Sequence, residues 1–366
     1  MSKLTEIKGQ YTRRDALKLG LSAAAVASVA PLLMSSRTAQ AAEVTTLTVA
    51  DVGGPYGTGF SKAFYKPFEE ATGIKIINTV LGPDPVPQFQ MMVDTKNYLF
   101  DVALLNPEHL VRLNKLGKPY LEDINVTVPD PENYVKGSIT KQFGGVSIFA
   151  LALGYRLDAF SGDKAPKNWV DFWNTENFKG RRGLWRSPIC TLEVALMADG
   201  VDPKNLYPLD VDRAFRSLDK IRKSIDVWWT GGAQATQLLQ SGELDMLSIW
   251  SSRAQTAIDA GTPAAIAWDQ GLYNIDGFTI PHGSPKVEAA RKFIQFCMDA
   301  KRQSVFTEDL ACGPTNVKAY DFIDKKKATL LPTAPDHIGQ LALLGADYWG
   351  ENQLALTERF EKWVMS

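Results

Sequence analysis

The glycine-rich run Gly53-Gly54-Pro55-Tyr56-Gly57-Thr58-Gly59 is the first place where residue types and spacing suggest chemistry. Such a run can bring backbone amides up to a phosphate, but it fails both spacing tests for that use. Started at Gly54, a Walker-type loop has Gly59 in place and Phe60 where its phosphate-binding lysine is required. Started at Gly57, a dinucleotide fingerprint has Lys62 in the position of its third glycine. What remains is a strand-to-helix turn carrying exposed amides and Tyr56 at the carboxyl edge of a sheet, where open α/β folds bind ligands, or a turn that is purely structural. Hydrolytic chemistry is poorly supplied: there is no GxSxG elbow and no HExxH helix, and the three histidines, His109, His282 and His337, lie far apart. Cys190, Cys297 and Cys312 form no CxxC or Cys/His cluster, so no metal, cofactor or obligatory disulfide framework is expected.

Aromatic chemistry is better supplied. Of nine tryptophans, Trp185, Trp229, Trp250 and Trp268 fall beside turns where a sheet edge would open. Aromatic faces at a cleft suit the methylenes and cationic heads of amines; core packing is the alternative for each. Trp250 ends a strand and precedes a helix opening at Ser251-Ser252-Arg253, which sets it apart from a core position.

The elements that must position these residues alternate between β-rich and helical runs, the pattern of parallel sheets covered by helices. Thr46 to Asp51 reads as a strand, Phe60 to Thr72 as a helix kinked at Pro67 and stopped at Gly73, and 74–80 and 99–105 as strands. A helix follows with Asn106 at its cap, Pro107 in its first turn, Glu108 at its positive end and Gly117 beyond its last turn. Helices are expected at 191–198, 211–223, 233–240 and 253–260, separated by strands at 226–229, 244–249 and 276–280. The amphipathic stretch 287–298 reads as a return to the first part of the fold. No linker separates independent domains.

The formal charge of −1, from 40 basic and 41 acidic side chains, leaves no basic excess for a phosphate backbone, so nucleic acid is not an expected partner. The N-terminus is a separate segment. Thr12-Arg13-Arg14-Asp15-Ala16-Leu17-Lys18 precedes an uncharged run from Leu19 to Met34, and Ala39-Gln40-Ala41-Ala42 follows. This order resembles a twin-arginine export signal cleaved near Ala42, with a general secretory signal or an uncleaved anchor as alternatives. The apolar run of sixteen residues, interrupted by Pro31, is short for a membrane span. Removing the first 42 residues takes away six basic and two acidic side chains, which leaves 34 and 39 and a net charge of −5. That field mildly favours cationic solutes.

A series of weak motifs recurs in a familiar order: Asp101-Val102-Ala103 with 106–117, Tyr155-Arg156-Leu157-Asp158, Trp169 and Phe172 followed by Phe178-Lys179-Gly180, Gly242-Glu243 and Asp245 leading to Trp250, Ile275-Asp276-Gly277-Phe278 to Pro281, and Gly313-Pro314-Thr315-Asn316. Together they resemble the extracellular solute-binding proteins of ABC importers, specifically the group that includes spermidine/putrescine-binding proteins. The resemblance implies a periplasmic-binding-protein fold of class α/β, two lobes joined by crossing hinge strands, a ligand in the interlobe cleft and no catalysis. It assigns 43–151 with 277–318 to lobe 1 and 152–276 with 319–366 to lobe 2. It also implies a monomer in the periplasm that closes on a small molecule and hands it to the permease subunits of an importer.

Carried over position by position, the resemblance makes Asp276 and Glu193 receivers of ammonium groups and Trp250 an aromatic wall. Asn106 and Glu108 fall in the loop that closes over the ligand, and Tyr56 in the first glycine-rich turn. Two departures weaken a polyamine assignment: Cys190 stands where such proteins carry a second acid, and Asn274 where they carry an aromatic residue. Arg253 and Arg186 flank the expected cleft and can clamp a carboxylate. The expected ligand is a small cationic amine such as putrescine or spermidine, with a carboxylate-bearing opine or amino-acid derivative as the rival and an exported enzyme as the reading from another class.

Overall fold

The computed structural model describes residues 45–82 and 84–366; the expected leader, residues 1–42, lies outside the described residues. The elements begin β1 (Thr46–Asp51), α1 (Gly54–Phe60), a π-helical turn (Ser61–Tyr65), α2 (Lys66–Thr72), β2 (Lys75–Val80), α3 (Val86–Thr95), β3 (Val102–Leu105) and α4 (Pro107–Asn114). There follow β4 (Ile139–Thr140), β5 (Phe143–Arg156), α5 (Trp169–Trp173), β6 (Arg182–Trp185), α6 (Pro188–Ala198), α7 (Val211–Ile221), β7 (Ile225–Trp229), α8 (Gly232–Ser241), β8 (Met246–Trp250), α9 (Ser251–Asp259) and β9 (Ala264–Thr279). The chain ends with α10 (Val287–Cys297), α11 (Ala300–Asp309), β10 (Gly313–Pro314), α12 (Lys325–Ala328), α13 (Pro335–Ile338), β11 (Leu341–Leu343) and α14 (Ala346–Met365).

The main strands run in the order β2-β1-β3-β9-β5-β8-β6-β7. At one end β1 pairs in parallel with β2 and β3, and β3 meets the last residues of β9 antiparallel. At the other end β6 pairs in parallel with β7 and β8, and β8 meets the last residues of β5 antiparallel. The two long strands β5 and β9 pair with each other from Gly144↔Phe278 to Arg156↔Ala264 and so pass through both lobes. Side chains from these ends form separate cores. Leu47, Phe60, Phe64, Phe278 and Phe293 anchor those of lobe 1, and Trp169, Phe172, Trp229, Leu247 and Phe360 that of lobe 2. At β9, Gly277 permits the strands to close, because a Cβ there would sit 2.4 Å from the Phe143 ring.

Three sequence expectations need correction. The glycine-rich run is a helix and not a turn: α1 begins at Gly54, and its glycines serve close approach, since a Cβ on Gly59 would lie 2.9 Å from Phe306. The irregularity expected at Pro67 lies one turn earlier, in the π-helical residues 61–65, where a proline without an N–H leaves the preceding carbonyls to find other donors. The strand expected at 276–280 is the end of a 16-residue strand. By contrast Gly73 ends α2 in the left-handed region at φ 76°, as its position after Thr72 suggests.

Candidate functional site

Asp51, at the carboxyl end of β1, sets the first wall. Its buried carboxylate accepts from the Gly53 amide (2.6 Å), the Tyr65 hydroxyl (2.6 Å) and Asn78 Nδ2 (2.8 Å), which ties the start of α1 to the sheet. Tyr56 is thereby held over the sheet edge, its ring against Phe60 and Phe306 and its hydroxyl 3.1 Å from Cys312 Sγ. Burial pushes the Tyr56 phenol well above its usual pKa and keeps it protonated.

A cavity of about 290 Å³ opens beside it. Val52, Gly53, Tyr56 and Asn106 line it from the lobe 1 edge, Asp276 and Phe149 from the two long strands, and Gly232, Trp250, Ser252 and Arg253 from lobe 2. Five residues expected from the sequence therefore meet on one cavity: Tyr56, Asn106, Trp250, Arg253 and Asp276. Asn106 Nδ2 donates to Asp276 Oδ1 (2.9 Å) and to the Ile275 carbonyl (2.9 Å), and Ser147 Oγ donates to Asp276 Oδ2 (3.0 Å). Burial, with a smaller contribution from the Glu108 charge, raises the Asp276 pKa to about 7 against the effect of these donors. Trp250 meets Phe149 edge-to-face at 5.3 Å and Trp185 at 4.8 Å, which makes an apolar wall for methylenes. Arg253 is half-buried, its stem packed on Gly232, and among the described residues its guanidinium forms no salt bridge. The site thus offers one carboxylate that lacks a cationic partner and one cation that lacks an acidic partner.

A family model for bacterial extracellular solute-binding proteins matches residues 63–333. The chain belongs to that family. This solute-binding protein is 31% identical over 329 residues to the gamma-aminobutyric acid-binding protein of Pseudomonas aeruginosa, which covers 88% of the chain and 92% of that relative. It is 23% identical over 278 residues to the spermidine/putrescine-binding periplasmic protein of Escherichia coli, which covers 73% and 78%. A solved structure described as the Atu4243-GABA receptor superposes with a TM-score of 0.80 at 28% identity, over 87% of this chain and 97% of the other. The two-lobed periplasmic-binding-protein fold is common to these relatives and to this solute-binding protein.

Two expected acids have other partners in the structure. Glu193 is fully buried away from the cavity lining, and its Oε1 accepts from Tyr207 Oη (2.7 Å) and Trp349 Nε1 (2.6 Å) while its Oε2 has no partner. Cys190 just before it is strained, at φ 67°, because the chain turns there before the helix proper begins at Thr191. Glu108 is buried and does not line the cavity, and both its oxygens accept from Asn274 Nδ2 at 3.1 and 3.0 Å. Arg186 is bound to Glu361 of α14 at 2.7 Å and is not a free clamp. Trp229 is core, and Trp268 stacks on His337. Asp51, Ser147 and Phe149 escaped sequence reading; the only signal was their place at strand ends or on a strand facing Asp276.

Burial also raises Glu193 to about 7, against the donors Tyr207 and Trp349. A carboxyl raised on folding is favoured in its neutral form. The stability that Glu193 and Asp276 contribute is therefore full below the ordinary carboxyl range and is lost as pH rises through about 7. Glu193→Gln is expected to flatten part of that loss in a pH series of ligand-free thermal unfolding. Glu193→Ala, which leaves two buried donors without an acceptor, is expected to cost about 2–4 kcal/mol.

Proposed function

We propose that this protein captures a small zwitterion with an ammonium group at one end and a carboxylate at the other, a short ω-amino acid of the gamma-aminobutyric type, and delivers it to the permease of an ABC importer. The observation that carries this reading is Arg253: a half-buried guanidinium without an acidic partner that lines the same cavity as Asp276. A carboxylate can take two parallel hydrogen bonds from Arg253 while Asp276 receives the ammonium and Trp250 and Phe149 cover the methylenes. The cavity of about 290 Å³ suits a ligand of a few carbons. The polyamine alternative has less support, because Glu108 and Glu193 are bonded elsewhere and a second ammonium would lie beside Arg253. The Pseudomonas aeruginosa relative, which binds gamma-aminobutyric acid, points the same way.

The rest of the reading rests on the sequence and the family. Residues 1–42 serve as the export signal and the protein works as a monomer in the periplasm. Lobe 1 comprises 43–151 with 277–318, and lobe 2 comprises 152–276 with 319–366, a division supported by the separate apolar cores. The test is a titration of tryptophan fluorescence with three four-carbon ligands: ω-amino acid, diamine and dicarboxylate. The amino acid is expected to bind at least about tenfold tighter than either of the others, the worth of one charge-assisted contact. Equal or tighter binding of the diamine overturns the reading.

A further inference from the structure

We propose that Gly232 is a positioning residue for the ligand carboxylate: its missing side chain lets Arg253 lie along the start of α8 and present its guanidinium to the cavity, an inference that rests on the zwitterion reading and adds what holds its cation in place. Gly232 and Arg253 both line the cavity. A Cβ added to Gly232 would sit 2.9 Å from Arg253 Nε, 3.3 Å from its Cγ and 3.4 Å from its Cδ, so the Arg253 stem runs over Gly232 in direct contact. The two backbones are tied as well. Thr236 Oγ donates to the Gly232 carbonyl at 3.0 Å and to the Arg253 carbonyl at 3.4 Å, which couples the first turn of α8 to the first turn of α9.

The backbone does not ask for glycine at this position. Gly232 opens α8, and its φ lies outside the left-handed region that Gly242 adopts beyond the other end of the same helix, at φ 68°. Alanine there restricts the unfolded chain and leaves the helix intact, so on backbone grounds Gly232→Ala is neutral or stabilising. The three heavy atoms nearest to the added methyl all belong to Arg253, a flexible side chain, so what gives way is the guanidinium and not the fold. Gly231, one residue earlier, is the contrast, since a Cβ there meets nothing within 4 Å. A carboxylate takes two parallel hydrogen bonds from a guanidinium only when both donors point at it, and such bonds weaken steeply when misdirected. Displacing Arg253 therefore costs the carboxylate end of the ligand and leaves the ammonium on Asp276 untouched.

The test is calorimetric titration with the four-carbon ω-amino acid and with 1,4-diaminobutane of the unmodified chain, Gly232→Ala, Gly231→Ala, Arg253→Gln and the double variant Gly232→Ala with Arg253→Gln, together with the ligand-free thermal midpoint of each. In Gly232→Ala the amino acid is expected to bind about tenfold more weakly and the diamine no more weakly, with a midpoint no lower than that of the unmodified chain. Gly231→Ala is expected to leave the affinity for the amino acid unchanged. In the Arg253→Gln background, Gly232→Ala is expected to add less than about twofold, as for two residues that act through one contact. An unchanged affinity for the amino acid in Gly232→Ala, an equal loss for the diamine, a loss that persists without Arg253, or a lowered midpoint overturns the proposal. The zwitterion reading fails separately, on the preference of the unmodified chain.

Discussion

Asp276→Asn is expected to weaken binding of the ω-amino acid by about 100-fold, since a buried carboxylate that receives an ammonium contributes about 1.5–3 kcal/mol through charge-assisted hydrogen bonds and each 1.4 kcal/mol is tenfold. The same group sets the pH dependence. In the free protein burial holds its pKa at about 7, and the ligand binds the ionised form, so binding below that pH must release a proton. Affinity is expected to rise with pH up to about 7 and to level off above it. Titration calorimetry between about pH 5.5 and 8.5, in buffers of different ionisation enthalpy, reads both the affinity and the released proton. The Asn variant is expected to give a flat profile. A steep profile in that variant would assign the proton to another group; Glu193 is excluded from that role if Glu193→Gln changes stability with pH and leaves affinity unchanged.

Arg253→Gln carries the second large effect. It removes the one cation that the described residues place on the cavity wall and is expected to weaken the ω-amino acid by about 100-fold while leaving a diamine unaffected or improved, because repulsion of its second ammonium is gone. Arg253→Lys restores the charge but not the planar fork and is expected to recover only part of the loss. Competition between the two ligands on each variant measures the change. A parallel loss for both would mean that Arg253 supports the cavity wall and does not touch the carboxylate.

Part of the candidate site was legible in the sequence because several of its residues sit where strands end. Trp250 and Arg253 bracket a strand-to-helix junction and Asn106 sits before Pro107, positions that open α/β sheets bring to one edge, whereas Asp276, expected to open a strand, lies inside β9. The fates of Glu108 and Glu193 were not legible, because each is decided by a partner far along the chain: Asn274 for the first, Tyr207 and Trp349 for the second. Long strands were harder still. The two glycines Gly144 and Gly145 and the later Gly154 break the apolar pattern of β5, yet each glycine is there to admit a neighbour, Ile294, Ile275 or Ile249. The same logic hid α1, whose glycines read as a turn by propensity and act as contacts with Phe306 and Asp51.

The central claim is that Arg253 and Asp276 hold opposite ends of one ligand. A crystal structure of residues 43–366 grown with the four-carbon ω-amino acid tests it most directly. The expected result is the ligand carboxylate within hydrogen-bond distance of the Arg253 guanidinium and its ammonium on Asp276, with Trp250 and Phe149 against the methylenes. A ligand bound with its carboxylate away from Arg253, or with its ammonium on Glu193, would contradict it.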